Sequence, residues 1–244
     1  MFDHGTTLDA LRDGEIDIVG RIVASSNNAM LVTVTRVCPE PEPAFVLDAI
    51  YKPTLGERPL DDFPDGTLAR REVAAWHVSE ASGWGIVPPT ILREGPFGEG
   101  MVQAFVEADH EVDVVAMVVE DDARLRRMAV LDAVMNNTDR KGGHILPVDG
   151  GRHVYGVDHG VCFSPVPKLR TVLWGWRGTA LAPDEIDGLE RIRDGLTTDL
   201  GDALTGLLSR LEVRATARRT DALLASGRFP YPSPDWPAVP WPPF

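Results

Sequence analysis

The sequence has few of the features that mark secreted, membrane-spanning or metal-cluster proteins. Its two cysteines, Cys38 and Cys162, form no CxxC pair, so we expect neither a disulfide framework nor a cysteine-bound metal. It contains no run of about 18 apolar residues, the length that a membrane-spanning helix needs. The N-terminal segment is acidic and lacks the basic start and apolar run of a secretory signal. We therefore expect a cytoplasmic protein.

Positive charge is also scarce. The net charge is −13, and only three residues are lysines: Lys52, Lys141 and Lys168. Nucleic acids and anionic lipid surfaces bind basic patches, so we expect no nucleic-acid partner and no stable membrane association. Because arginine supplies nearly all of the cations, each lysine is a candidate for a specific role.

Common nucleotide-binding and hydrolase motifs are absent as well. Neither GxxxxGK[ST] nor GxGxxG occurs, which excludes a P-loop and a Rossmann fingerprint. HExxH and GxSxG are also missing, which excludes the zinc-protease helix and the nucleophile elbow of α/β-hydrolases. A catalytic function must therefore rest on another set of residues.

The first part of the sequence is typical of an antiparallel sheet. Alternating apolar residues predict three strands, over residues 16–23, 29–37 and 44–53. Residues 67–82 then predict a helix with Thr67 as its N-cap, and GIVPPTILRE and GMVQAFVEA predict two further strands. We therefore predict a mostly antiparallel sheet with one inserted helix.

The second part of the sequence is mainly helical. DDARLRRMAVLDAVMNN has apolar residues at helical spacing, HILPV and HVYGVD predict a hairpin across DGG, and residues 183–226 predict two or three helices. The Pro- and Trp-rich tail is expected to be extended, and either to dock on a lobe, to stay mobile or to bind a partner. The predicted fold class is α+β, with a β-rich N-lobe (1–107), a helical C-lobe (108–228) and a tail (229–244).

Four charged residues in this frame are candidates for chemistry: Lys52, Glu72, Asp139 and Asp158. A strand-end lysine can bind phosphate oxygens as a point charge, and a helical glutamate can hold its ammonium in place. An aspartate in a loop after a helix can deprotonate a hydroxyl, and one at a strand end can bind a divalent cation. Each residue alone also has an ordinary interpretation as a solvated side chain or a turn residue. Their order matches the parts that phosphoryl transfer needs.

Five ordered segments resemble the phosphatidylinositol 3/4-kinase superfamily, most closely its type II phosphatidylinositol 4-kinases. They are IYKP, EVAAWHVSEASGWGIVP, VQAFVE, VLDAVMNNTDR and GVDHGVCF, and LWGW follows where that family has a tryptophan-rich stretch. The resemblance runs from about residue 20 to about residue 226 and implies a two-lobed protein-kinase-like fold. It also implies ATP as the phosphoryl donor and Mg²⁺ or Mn²⁺ as the metal. The arginine-rich composition fits an actinobacterial branch of such kinases.

The resemblance implies a role for each segment. Lys52 would bind the α- and β-phosphates and pair with Glu72, Asp139 would be the catalytic base, and Asp158 would hold the metal. The turn ASSNN would cover the phosphates, and the hinge VQAFVE would bind adenine. The residues implied for the nucleotide, besides Lys52, are Ser25, Ser26, Asn27, Asn28, Gln103, Phe105 and Val106.

One position departs from the family pattern. Five residues after the catalytic aspartate the family has asparagine, whereas this sequence has His144. A neutral imidazole could ligate the metal and would favour Mn²⁺ or Zn²⁺ over Mg²⁺. It could instead contact a phosphate or the catalytic aspartate, or the second metal site could be lost. We favour ligation because the other parts persist, namely Lys52, Glu72, Asp139 and Asp158.

The acceptor and the activity itself remain open at this stage. A hydroxyl group of a protein or a small molecule fits better than a membrane lipid, because the chain lacks the cysteine cluster of membrane-bound relatives and a basic patch. A nucleotide-binding pseudokinase that acts as a scaffold is the main alternative. A His/Asp metallohydrolase has little support, because no HxH or HxxxH pair provides the ligand spacing.

Overall fold

The computed structural model describes residues 2–22, 28–39 and 43–244. They form two compact units, which we call the sheet unit (Met1–Val73 with Pro88–Val106) and the helical unit (Ala74–Val87 with Glu107–Phe244). The division into lobes at residue 107, with a separate tail from residue 229, stays a prediction.

The sheet unit is built on five antiparallel strands in the order β1-β2-β3-β5-β4. Their bounds are Glu15–Arg21 (β1), Met30–Arg36 (β2), Phe45–Pro53 (β3), Thr90–Gly95 (β4) and Gly98–Ala104 (β5). These are the five strands that the alternating pattern predicts. The predicted fold class, α+β with an antiparallel N-terminal sheet and a helical C-terminal region, is confirmed.

One face of this sheet packs against a helix that the sequence did not predict. Leu11 of α1 (His4–Asp13) is fully buried and joins Tyr51 of β3 in the apolar core of the unit. Because side chains alternate between the faces of a strand, Lys52 lies on the opposite face from Tyr51. β3 therefore presents Tyr51 to the apolar core on one face and Lys52 on the other face.

Helix α2 (Leu68–Ser82) begins where the sequence predicts, and its first turn has a carboxylate partner that the sequence analysis did not single out. The Glu57 carboxylate accepts hydrogen bonds from the first two amides of the helix, at 3.0 and 2.7 Å. It thus places negative charge at the positive end of the helix dipole. The Thr67 hydroxyl donates to the carbonyl oxygen of Pro64. The sequence analysis missed Glu57, which reaches the helix from the turn after β3, and capping by Thr67 stays a prediction.

The helical unit contains the second half of α2, five further α-helices and one hairpin. The helices are Val114–Val119 (α3), Arg126–Met135 (α4), Pro183–Gly195 (α5), Asp199–Leu207 (α6) and Arg210–Ser226 (α7). The hairpin joins Ile145–Val148 (β6) to His153–Gly156 (β7), as the sequence predicts. Across the described ranges, every helix is too short or too polar to cross a bilayer.

The Pro- and Trp-rich tail lies along the helical unit. The indole Nε1 of Trp174 donates to the carbonyl oxygen of Ala238 at 2.8 Å. Nearby, the Lys168 ammonium is 4.3 Å from the centroid of the Trp236 ring, a cation–π contact. Of the outcomes that the sequence left open, the structure shows docking on the tail's own unit.

Candidate active site

The first candidate group is an ion pair in the sheet unit. Lys52 Nζ lies 2.7 Å from Glu72 Oε1, and the two side chains are 17% and 2% exposed. β3 supplies the lysine, and α2 supplies the glutamate one turn after its start. A carboxylate buried this deeply is costly unless it is paired, so the contact holds the ammonium in place. The predicted contact is present, and its role in binding phosphate stays a prediction.

The predicted phosphate-covering turn is only partly described. Ser25, Ser26 and Asn27 lie outside the described residues. Asn28 packs against Gly56, where an added Cβ would collide with the asparagine side chain. The glycine therefore lets the turn after β3 approach Asn28 closely.

The predicted adenine-binding hinge follows β5. The Gln103 amide donates to Thr90 Oγ1 at 2.8 Å, and only 3% of the glutamine is exposed. The backbone amide of Phe105 donates to the carbonyl oxygen of Asp48 at 2.9 Å. Val106 is buried. The Gln103 side chain is thus hydrogen-bonded to the neighbouring strand, and the Phe105 amide is hydrogen-bonded within the sheet unit. Adenine would therefore have to form its hydrogen bonds with other atoms of the hinge.

The second candidate group begins where α4 ends in the helical unit. Asn136 adopts the left-handed conformation (φ 52°), which asparagine tolerates better than most residues. Asn137 then donates from Nδ2 to Asp132 at 2.9 Å, and its Oδ1 accepts from the Asp139 amide at 3.0 Å. These contacts fix the backbone that carries Asp139, whose side chain is 31% exposed.

Lys141 lies beside Asp139. Its Nζ is 3.0 Å from Asp139 Oδ2, and its side chain is 25% exposed. The pair places a positive charge next to the predicted proton acceptor. No role was predicted for Lys141, although the scarcity of lysine and its position two residues after Asp139 were signals that could have identified it.

Arg140 is fully buried and ties this loop to its surroundings. Its guanidinium lies 3.0 Å from Asp132 Oδ1, and neither side chain is exposed. It also donates to the carbonyl oxygens of His144 and of the residue before Asp158, at 3.2 and 3.0 Å. Its Nη2 lies 2.6 Å from His159 Nε2. One side chain therefore joins α4, the segment with His144 and the segment with Asp158.

His144 and Asp158 are in direct contact. His144 Nε2 lies 3.3 Å from Asp158 Oδ2, with the side chains 15% and 42% exposed. Asp158 has a left-handed backbone (φ 61°) just after β7. Burial lowers the pKa of His144 and outweighs the nearby carboxylate of Asp158, which raises it. The imidazole is therefore neutral at neutral pH.

The donor pair fits two ligands of one divalent cation. Two adjacent ligands, each about 2.1 Å from a cation, lie roughly 3 Å apart, close to the observed 3.3 Å. The described residues offer no group of three or more His, Cys, Asp or Glu side chains for a metal. Mg²⁺ on bound phosphates takes only one or two protein carboxylates, so a pair suffices. Within the described ranges His144 Nδ1 has no hydrogen-bond partner, whereas a ligating imidazole usually has one at that atom.

The tail reaches the same loop. Gly142, between Asp139 and His144, donates its N–H to the carbonyl oxygen of Pro243 at 2.8 Å. A Cβ at this position would collide with the Phe244 ring, so only glycine leaves room for it. The sequence did not predict this contact, because its partners are remote in the chain.

Comparison with known proteins places the chain in a family. No protein-family model matches it. Protein Rv2133c of Mycobacterium tuberculosis is 40% identical over an alignment of 270 positions, and the alignment covers 96% of this chain and 94% of that protein. The chain belongs to the Rv2133c family. Because the match spans nearly the whole of both proteins, we expect the two units described above in Rv2133c as well.

Two solved structures share the fold of this Rv2133c family member. The proinflammatory kinase CtkA of Helicobacter pylori has a TM-score of 0.54 and 13% identity, over 90% of this chain and 94% of that chain. Hydra Fam20, solved with sugar, has a TM-score of 0.56 and 12% identity, over 91% and 87%. The predicted kinase-like fold is confirmed, while the closer likeness to type II phosphatidylinositol 4-kinases stays a prediction.

The hairpin histidine leads to a prediction for acid stability. His153 Nε2 lies 3.0 Å from the carbonyl oxygen of Gly85. Burial lowers the pKa of His153, and this effect exceeds that of the Gly85 hydrogen bond, which raises it. The unfolded chain, with a histidine pKa of ~6.5, therefore binds the proton more readily. The contribution of His153 to stability is therefore complete above about pH 6.5 and is lost as the pH falls through the pKa of the folded state. Thermal melts between about pH 7.5 and about pH 5 would detect this loss.

His153→Gln should flatten this pH dependence, because glutamine keeps a donor for Gly85 and does not titrate in this range. The matched control is His110→Gln at an exposed position of the same unit. Equal acid-induced losses of Tm in wild type and His153→Gln would contradict the prediction. Burial also lowers the pKa of His77 and His144, so part of the pH dependence should survive in the variant.

Proposed function

We propose that this protein is an ATP-dependent phosphotransferase of the phosphatidylinositol 3/4-kinase-like type, which transfers the γ-phosphate to a hydroxyl group. The observation that carries the proposal is the 2.7 Å contact between Lys52 and the buried Glu72. Kinases use such a strand lysine and helix glutamate to present an ammonium to nucleotide phosphates. A lysine that merely reached water would not need a buried carboxylate.

The sheet unit would bind the nucleotide. Lys52 would contact oxygens of the α- and β-phosphates as a point charge. The ASSNN turn, of which Asn28 is described, would cover the phosphates with amide and short side-chain donors. The hinge at Phe105 and Val106 would hold adenine, with Gln103 supporting it from β5.

Asp139 is the proposed proton acceptor. Its carboxylate takes the proton of the acceptor hydroxyl while that oxygen attacks the γ-phosphorus, and ADP leaves with the electrons of the broken P–O bond. Lys141, 3.0 Å from the carboxylate, offsets negative charge on the transferring group.

Asp158 and His144 are the proposed ligands of Mg²⁺ or Mn²⁺. When bound, the ion neutralises negative charge on the phosphates. Burial keeps the His144 ring neutral, so a ring nitrogen can offer its lone pair at neutral pH. Because imidazole nitrogen is a softer ligand than an amide oxygen, Mn²⁺ should be preferred to Mg²⁺.

The proposed acceptor is a hydroxyl group of a protein or a small molecule. The net charge of −13 disfavours anionic lipid surfaces and nucleic acid. A cytoplasmic location, where ATP is available, agrees with this acceptor class.

The proposal is tested by ATP consumption with the full chain, titrated with Mg²⁺ and with Mn²⁺, and by intact mass for self-phosphorylation. We expect metal-dependent formation of ADP that Lys52→Met abolishes. Lys168→Met, at the lysine that lies over Trp236, is the matched control and should keep the activity. A chain that neither binds nor consumes ATP would refute the proposal.

A nucleotide-binding pseudokinase is the second candidate. The observation that favours it is the contact of His144 with Asp158, together with the missing partner of His144 Nδ1 within the described residues. An imidazole that donates to Asp158 occupies a position that a metal would need. Tight ATP binding in calorimetry without turnover in either metal would favour this candidate over the enzyme.

His144→Asn should shift the metal preference from Mn²⁺ toward Mg²⁺, because an amide oxygen replaces the ring nitrogen. Affinity for Mn²⁺, measured by electron paramagnetic resonance with a non-hydrolysable ATP analogue, should fall by about tenfold. His77→Asn is the matched control, since His77 has no assigned role. An unchanged Mn²⁺ affinity and metal profile would count against ligation by His144.

A further inference from the structure

The helical unit contains a cavity that the proposed phosphotransferase mechanism does not use. Its volume is about 530 Å³, within the ~300–1,000 Å³ typical of small-molecule sites. The end of α4, the end of α7 and the start of the tail line it. Its apolar wall includes Ala133, Leu169, Leu223, Phe229 and Pro230.

The charged groups that line this cavity are Arg219 and Arg228, and its described lining contains no acidic residue. The chain as a whole carries a net charge of −13. The lining of the cavity is therefore positively charged, whereas the chain as a whole is negatively charged. This combination is complementary to an anion that also has an apolar part.

Arg219 is held in position by neutral groups. Its Nε donates to the carbonyl oxygen of Val134 at 2.7 Å, and its Nη1 to that of Ser164 at 3.2 Å. Its Nη2 donates to Thr216 Oγ1 at 3.0 Å. A guanidinium has five N–H donors, so two remain for a ligand. Within the described residues, no carboxylate forms an ion pair with it.

A guanidinium in this setting carries an uncompensated charge. Burial lowers the pKa of Arg219 to about 10, which reflects the cost of keeping it charged away from water. A carboxylate relieves that cost by accepting two parallel hydrogen bonds from the planar fork. A purely apolar ligand would fill the volume and leave the charge unpaired.

We propose that the cavity binds a small amphipathic carboxylate, whose anionic group pairs with Arg219 while its aliphatic chain lies against the apolar wall. Arg228 stands at the same cavity and adds a second positive charge. The residues proposed for the phosphotransferase reaction, Lys52, Glu72 and Asp139 among them, do not line the cavity, so the proposal does not rest on that reaction.

Calorimetric titration of the full chain with decanoate, below its micelle threshold and without ATP, tests the proposal. We expect saturable binding at one site. Decanol, of equal chain length but neutral, should bind about tenfold more weakly or worse, because it lacks the charge-assisted hydrogen bonds. Decyltrimethylammonium should not bind. Equal affinities for decanoate and decanol would overturn the proposal.

Two variants on α7 identify the cavity as the binding site. Ala222 and Ala225 are both exposed, and of the two only Ala222 lines the cavity. Ala222→Phe should fill the volume and reduce decanoate affinity by at least about tenfold, whereas Ala225→Phe should leave it unchanged. Thermal melts of both variants establish that they fold. Undiminished binding by Ala222→Phe would overturn the proposal.

Arg219→Lys tests the anion contact separately. Lysine keeps the charge but lacks the planar fork, so decanoate affinity should fall while decanol affinity stays unchanged. A structural role alone would lower both equally. If size-exclusion chromatography instead showed a dimer that Ala222→Phe dissociates, the cavity would be filled by a second copy and the proposal would be wrong.

Discussion

Replacing Asp139 with asparagine should lower the rate of phosphoryl transfer by about 10²- to 10⁴-fold. Asparagine keeps the size of the side chain but cannot accept the proton of the attacking hydroxyl. The affinity for ATP should persist, because Asp139 has no proposed contact with the nucleotide. Rates of ADP formation, together with calorimetric titration with ATP, measure the two effects separately.

The matched control is Asp149→Asn. Asp149 is an exposed aspartate in the hairpin turn of the same unit, with φ 53°, which asparagine also tolerates. This variant should retain wild-type activity. Loss of ATP binding in Asp139→Asn would mean that the carboxylate serves nucleotide binding and that the role of proton acceptor is misassigned.

Replacing Arg140 with methionine should lower the free energy of unfolding by about 3–5 kcal/mol, the cost of breaking a buried ion pair. Methionine occupies similar space but leaves the carboxylate of Asp132 buried without its counter-ion. Neither side chain of this pair is exposed, so water cannot compensate. Urea unfolding of the wild type and the variant measures the difference.

Arg127→Met is the control for loss of an exposed ion pair. Arg127 Nη2 lies 2.8 Å from Asp184 Oδ2, but both side chains are about half exposed. Its removal should change stability by less than about 1 kcal/mol, because water solvates both charges. If the two variants lost equal stability, the network around Arg140 would not be the element that holds the loop.

The strands of the sheet were predictable because the alternation of apolar and polar residues can be read within each strand. β2 and β3 alternate in burial residue by residue, and the sequence shows that alternation directly. Helix α3 was not predicted, because its residues VVAMVV are mostly β-branched and are typical of a strand. The Asp113 side chain caps the N-terminus of α3 by accepting a hydrogen bond from the Ala116 amide. The capped segment is helical, although its residues favour a strand.

Some contacts of the candidate site could likewise be predicted from the sequence, and others could not. The contact of Lys52 with Glu72 was predicted from the resemblance, which pairs the lysine of this strand with the glutamate of the following helix. The roles of Glu57 and Arg140 were not predicted, because each side chain bonds to backbone groups of other segments, which no motif in the sequence marks. Sequence patterns report which side chains a local element presents, and they do not report which distant carbonyl or amide group will meet them.

The docking of the tail on Gly142 has a consequence for biosynthesis. The Gly142 amide obtains its partner, the carbonyl oxygen of Pro243, only after almost all of the helical unit has left the ribosome. Domains fold largely in the order of synthesis, so Asp139 and its neighbours emerge well before the segment that packs against their loop. A nascent chain that has passed residue 228 therefore carries every side chain proposed for catalysis, while the contact of Gly142 with Pro243 forms only after the tail has been synthesised.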